Sequence, residues 1–192
     1  MGPAATDEPG HDAANEPQTG VQRSLRQVVG AIDTFSRWTG YVACILVLPL
    51  MATVVSEITW RFLFGSSLFW TYELTYMIYG SLFMLGAAYT LSVGGHIRSD
   101  FLYNNFPVRM QGIIDSCAYL IFFFPTIFML AWLGFDNAYG AWDSAERSIQ
   151  SAWMPLLWPF KSMIPIGAAL LLIQGVSETI RALYAATTGR KL

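Results

Sequence analysis

The chain has 192 residues, of which 54 % are hydrophobic, 15 % aromatic and only 12 % charged, with a formal net charge of −2. That charged share is about half of what a soluble surface carries, and the slight negative balance argues against a nucleic-acid partner. The two cysteines, Cys44 and Cys117, have no second ligand-type residue at metal spacing, so they read as small packing residues rather than a disulfide or a metal pair.

Residues 1–20 hold four acidic residues, three prolines, three glycines and no basic residue, the composition of a disordered tail. The basic and apolar regions of a signal peptide are missing from it. Between Val21 and Phe35 the apolar residues Val21, Leu25, Val28, Val29, Ile32 and Phe35 recur at helical spacing, with Arg23, Arg26 and Asp33 opposite. This predicts an amphipathic helix over 21–37, lying on the inner membrane surface or packed along another subunit; periodicity does not choose between them.

Four windows then lack Asp, Glu, Lys, Arg and His: 38–56, 74–95, 116–135 and 162–177. A hydrocarbon core of ~30 Å takes about 20 helical residues, so the first three qualify directly, and Lys161 can snorkel to lengthen the fourth. One such window could be a buried helix of a soluble protein, but four predict an all-α integral membrane domain over 38–185. Its spans fall at about 38–60, 72–95, 112–135 and 161–181, followed by a C-terminal tail, 186–192.

The first connection, RFLFGSSLFWTYE (61–73), turns at Gly65-Ser66-Ser67 and makes a hairpin of the first two spans. Glu57 and Glu73 bracket it. Each is near the end of its span, and Glu73 suits an ion pair or a helix-start hydrogen bond because an acid there complements the helix dipole. In the second connection, Gly94-Gly95 ends the second span; His96, Arg98 and Asp100 then meet the interface, with Asp100 able to pair with either neighbour. Asn105 is placed to cap the third span and Pro107 to start it. The third connection, 136–160, is the richest in tryptophan. Pro155 and Pro159 predict an irregular segment there, with a short helix around 143–150.

Basic residues set the orientation. Arg23, Arg26, Arg37, Arg98, Arg109, Arg181, Arg190 and Lys191 fall on one side, against Arg61, Arg147 and Lys161 on the other. The positive-inside rule puts the N-terminus, the second connection and the C-terminus in the cytoplasm. Six of the seven tryptophans gather towards the outer face, with Trp38 alone near the inner one, as amphipathic indoles prefer an interface.

Catalytic signatures are missing: the chain has no HExxH, GxSxG, P-loop, dinucleotide glycine fingerprint or CxxC. We therefore expect no enzyme activity, cofactor or metal. A haem-carrying anchor of a redox enzyme would need histidines within spans, and His11 and His96 are in none. A self-sufficient small exporter or channel with Glu57 as its coupling carboxylate is a second alternative, since ionisable residues at membrane depth are functional by default.

Three segments carry a family resemblance. RFLFGSSLFWTYEL (61–74), Gly86-Ala87-Ala88 with GGHIRSDFLY (94–103), and LLWPFKSMIPIGAALLLIQG (156–175) resemble, in order, the small membrane subunit of tripartite ATP-independent periplasmic (TRAP) transporters. The likeness runs over roughly residues 25–185. It departs at Tyr72, where an acidic residue often precedes the glutamate. The resemblance implies a bacterial inner-membrane protein that joins a large multi-span subunit in sodium-coupled uptake of organic acids delivered by a periplasmic binding protein. It also implies that the small subunit is scaffold. Arg61, Trp70, Glu73, Trp153 and Trp158 are then expected at contacts with the large subunit or binding protein, while His96, Arg98 and Asp100 fix the inner end of the second span. Membrane lipids are the remaining expected partner.

Overall fold

A computed structural model describes residues 20–93 and 107–189. Among them the chain is all-helical apart from one antiparallel bridge between Arg147 and Leu156. Four helices are long and apolar enough to cross a membrane. They are α1 (Gly20–Phe64), α2 (Thr71–Ser92), α3 (Val108–Asp143) and α4 (Trp158–Thr188).

Residues 21–37 are helical, but they do not form a helix of their own. They are the first third of a 45-residue α1, about 68 Å long at 1.5 Å per residue. Nothing between Phe35 and Gly40 breaks the backbone ladder, and both parts share one buried strip: Val29, Ser36, Thr39, Gly40 and Ala43. Asp33 belongs to the same strip, which corrects its placement on the solvent side. The apolar residues Val28 and Phe35 are instead about half exposed.

Helix α3 begins one residue after Pro107, whose extended backbone (φ −61°, ψ 148°) makes it the capping residue. Asn105, expected as the cap, is outside the described residues. A π-helical turn, Tyr119–Phe123, interrupts α3 just before Pro125. Proline has no N–H to give its fourth predecessor and its ring crowds that carbonyl, so widening the preceding turn relieves both. Helix α3 then continues to Asp143, so the helix predicted at 143–150 is absent and the third connection is only 144–157. Pro159 does not break the chain; it sits in the first turn of α4, where an N–H would be unpaired in any case.

Helix α4 is the centre of the packing. In its most apolar stretch 44 % of residues are buried, against 6–11 % in the other three helices. It packs against all of them, with the α1–α2 hairpin on one side and α3 on the other. Close approach is made possible by missing side chains. A Cβ on Gly167 would stand 2.8 Å from the Met84 carbonyl oxygen, and one on Gly112 would stand 2.7 Å from that of Ala182. Ala88, Leu91, Leu170 and Leu171 form the buried apolar core, with Tyr119, Phe123 and Ile127 of α3 packed against it. Cys44 and Cys117 are exposed free thiols, so they pack nothing inside the chain. Outward faces carry the larger residues, including Trp38, Leu48, Phe83, Phe122 and Trp132.

Candidate functional site

The two loops at one end of the helices, 65–70 and 144–157, have the expected contact residues within them or beside them. At the first, Gly65 takes a left-handed φ of 65° and its N–H closes on the Arg61 carbonyl at 3.0 Å, ending α1. The chain then folds back over Glu57. The Glu57 Oε1 accepts from Arg61 Nη2 at 2.7 Å, one turn along the helix. Its Oε2 accepts from the Thr71 hydroxyl at 2.6 Å and the Leu68 N–H at 3.0 Å. Arg61 also reaches the Ser67 hydroxyl at 3.0 Å. Both oxygens of Glu57 are thus committed to joining the end of α1 to the start of α2. Neither oxygen of Glu57 is left without a partner.

Glu73 is the reverse case. It occupies the first turn of α2, is 1 % exposed, and neither carboxylate oxygen has a hydrogen-bond partner among the described residues. The ion pair or helix-start hydrogen bond expected of it is not formed, because Glu57 has taken the Thr71 hydroxyl and the Leu68 N–H. Glu73 lies on the helix face that continues through Tyr76 and Gly80. Both of those meet Phe160 at the start of α4, with ring centroids 4.7 Å apart for the Tyr76 pair. Trp70 is half-buried at the residue before α2.

The second loop is held at its base. Lys161 Nζ donates to Glu146 Oε2 at 2.6 Å, and the Leu157 N–H donates to the Glu146 carbonyl at 3.0 Å. Inside, the Ser148 N–H reaches the Pro155 carbonyl and the Arg147 guanidinium reaches the Met154 carbonyl. Trp158 packs edge-on against Trp142 with centroids 4.5 Å apart. Trp153 is 41 % exposed and Ile149 93 %, which makes the loop tip an apolar surface. Of the five expected contact residues, Arg61 and Trp153 are exposed, Trp70 and Trp158 are half-buried, and Glu73 is inside.

At the opposite end, a polar cluster joins α1 to α4. The Gln174 amide donates to Asp33 Oδ1 at 2.9 Å, the Ser177 hydroxyl donates to the same oxygen at 3.2 Å, and Arg181 pairs with Asp33 Oδ2. Ser36 donates to the Gln174 carbonyl oxygen at 2.6 Å, and Arg181 also reaches Glu178 at 3.3 Å. Gln174, Ser177 and Ser36 are essentially unexposed. These residues are up to 148 positions apart in the chain, so the cluster is not apparent from sequence. The available signal was Gln174, a polar residue inside an uncharged apolar span, which in a membrane must find a partner. His96, Arg98 and Asp100 are outside the described residues. No group of three or more metal-type ligands occurs among the residues described.

The family model for the DctQ component of tripartite ATP-independent periplasmic transporters matches residues 50–185. No curated protein matches the chain, and no solved structure does. With most of its length covered, the chain belongs to the DctQ family: it is the small permease component of a TRAP transporter, a multi-pass bacterial membrane protein.

Proposed function

We propose that this subunit is a scaffold rather than a conduit, which enlarges the fixed part of the transporter and offers its loop-bearing end to a periplasmic substrate-binding protein. The observation that carries this reading is where charge is and how it is used. No Asp, Glu, Lys, Arg or His occurs at 38–56, 74–93, 116–135 or 162–177. Glu57, Asp33 and Lys161, which flank those stretches, are spent on joining elements of the chain to each other. A translocation path needs ionisable or discontinuous elements near the middle of the membrane, and this chain offers neither among its described residues.

The excess of basic residues at the α1 and α4 terminal end favours a cytoplasmic location for both termini in the bacterial inner membrane. Exposed Arg23, Arg26 and Arg37 then serve as contacts for lipid head groups. The Arg61–Trp70 hairpin and the Trp153–Trp158 loop face the periplasm. Exposed Arg61 and Trp153 suit direct contact with the large subunit or the binding protein; buried Glu73, without a hydrogen-bond partner among the described residues, does not. His96, Arg98 and Asp100 are assigned to the cytoplasmic end of the second span. Sodium coupling and recognition of the organic acid belong to the large subunit in this reading. The family favours it over a self-sufficient exporter or a redox-enzyme anchor, and the committed bonds of Glu57 disfavour the exporter further.

Reconstitution tests it. The purified chain alone in liposomes should move no organic acid, and uptake should appear when the large subunit and binding protein are added with a sodium gradient. Transport by the chain alone, abolished by Glu57→Gln, would overturn the scaffold reading.

A further inference from the structure

The outward surface of the α1–α2 hairpin carries a groove of about 550 Å³. At its mouth are Glu57 and Arg61. Its walls are Val54 and Ile58 on α1, with Tyr72, Thr75, Tyr76 and Tyr79 on α2. The three tyrosines are 67 %, 49 % and 59 % exposed, spaced 4 and then 3 residues apart, so they form one stripe along α2. Among the described residues the hydroxyls of Tyr72 and Tyr79 have no hydrogen-bond partner.

Depth decides what can cover such a stripe. Tyr72 lies at the first turn of α2, where an aromatic belt is ordinary. Tyr79 is seven residues beyond Tyr72, about 10.5 Å further along the axis, at a level where hydrocarbon offers no acceptor. An unmade hydrogen bond at that depth costs more than one made to another helix. The groove between α3 and α4 differs. Its lining is mainly Phe135, Trp142, Trp158, Pro165 and Ile166; its Ser162 hydroxyl is bonded to the Trp158 carbonyl, and its one tyrosine, Tyr139, is four residues, about 6 Å, from the end of α3, at the level of an aromatic belt.

We propose that the α1–α2 groove is the seat of a transmembrane helix of the large subunit, which supplies acceptors to Tyr79 and Thr75 and a polar contact to Arg61 at the mouth. This rests on the scaffold reading above and adds to it the face that the scaffold presents. Phospholipid is the competing occupant. It would put a phosphate at Arg61 and tails along the tyrosines, leaving the Tyr79 hydroxyl unpaired.

The experiment uses the whole transporter in its own membrane. A benzophenone amino acid is introduced in place of Tyr79 or, on α3, in place of Phe128, which is 61 % exposed. The membranes are illuminated, and tagged chains are isolated and resolved by mass. The expected result is an adduct with the large subunit from position 79, with Tyr79→Phe reducing retention of that subunit about threefold, the usual worth of one interhelical hydrogen bond. A complex that isolates intact but yields adducts only from position 128, or only lipid adducts from position 79, overturns the groove and leaves the scaffold reading standing. Retention unchanged by Tyr79→Phe overturns the hydrogen-bonding basis. Failure to isolate any large subunit with the unsubstituted chain overturns both.

Discussion

Gly112 measures how tightly α3 is drawn onto α4. A methyl group there would stand 2.7 Å from the Ala182 carbonyl oxygen and 2.9 Å from the Ala185 carbonyl carbon, and would also meet the Ala186 nitrogen. All three are backbone atoms, so no side chain can swing aside. Reaching ordinary contact at ~3.5–4 Å requires α3 to retreat by roughly 1 Å along this stretch. Overpacking of this kind costs about 1–3 kcal/mol, whereas alanine gains about 1 kcal/mol over glycine in helix propensity. Gly112→Ala should therefore be destabilised by about 0–2 kcal/mol. The clean comparison is Gly86→Ala on α2, where nothing lies within 4 Å of the added methyl and only propensity acts. The difference between the two variants isolates the steric term, about 1–3 kcal/mol. Unfolding by sodium dodecyl sulfate in mixed micelles, followed by tryptophan fluorescence, reads it directly. Equal midpoints for the two variants would refute the close α3–α4 approach.

Glu57→Ala removes the acceptor of three hydrogen bonds at the first hairpin and should lower the unfolding midpoint in the same assay. Protease cleavage at residues 65–70 should accelerate, and unaltered cleavage would count against Glu57 as the closure. Asp33→Ala and Arg181→Ala should each raise hydrogen exchange across residues 23–36 and leave residues 124–143 unaffected. Their double-mutant cycle should show a coupling of about 0.5–3 kcal/mol, and additive effects would mean that the two side chains do not act as a pair. A reporter fused after Leu192 should behave as cytoplasmic; a periplasmic signal would reverse the assignment of both loop-bearing ends.

The spans were legible because hydrophobic length is a direct consequence of bilayer thickness. Among the described residues each uncharged window lies inside one of the four helices, save Val93, the residue that caps α2. The faces were less legible. Reading α1 by soluble rules puts Val28 and Phe35 inwards and Asp33 outwards, and the structure does the opposite. Lipid is as apolar as a leucine side chain, so no hydrophobic gain directs large residues to the interior. What goes inside is what lipid cannot satisfy or what lets backbones approach: Asp33, Ser36, Gln174 and Ser177 in the first class, Gly112, Gly167 and Ala168 in the second. The exchange of roles between Glu57 and Glu73 was hidden for another reason. Both flank the same turn, and only the path of residues 65–70 determines which carboxylate receives the Leu68 N–H and the Thr71 hydroxyl.

The same reasoning bears on why a chain of this shape needs a partner. Helix α4 has neighbours on both sides, but α3 and the α1–α2 hairpin are largely bare on their outer faces. Lipid can cover Leu48, Phe122 or Trp132 at no loss. It cannot pair the Tyr79 hydroxyl, whose counterpart must come from a polar group held at the same depth. A subunit stable in the bilayer on its own account would be expected to bury or replace that hydroxyl. Retaining it on the outward face of α2, in the groove that Arg61 also lines, is what the proposed helix of the large subunit would account for. Depth as well as polarity therefore distinguishes the α1–α2 side: Tyr139 is close to the end of α3, where an interface can satisfy it, and Tyr79 is further from the end of α2.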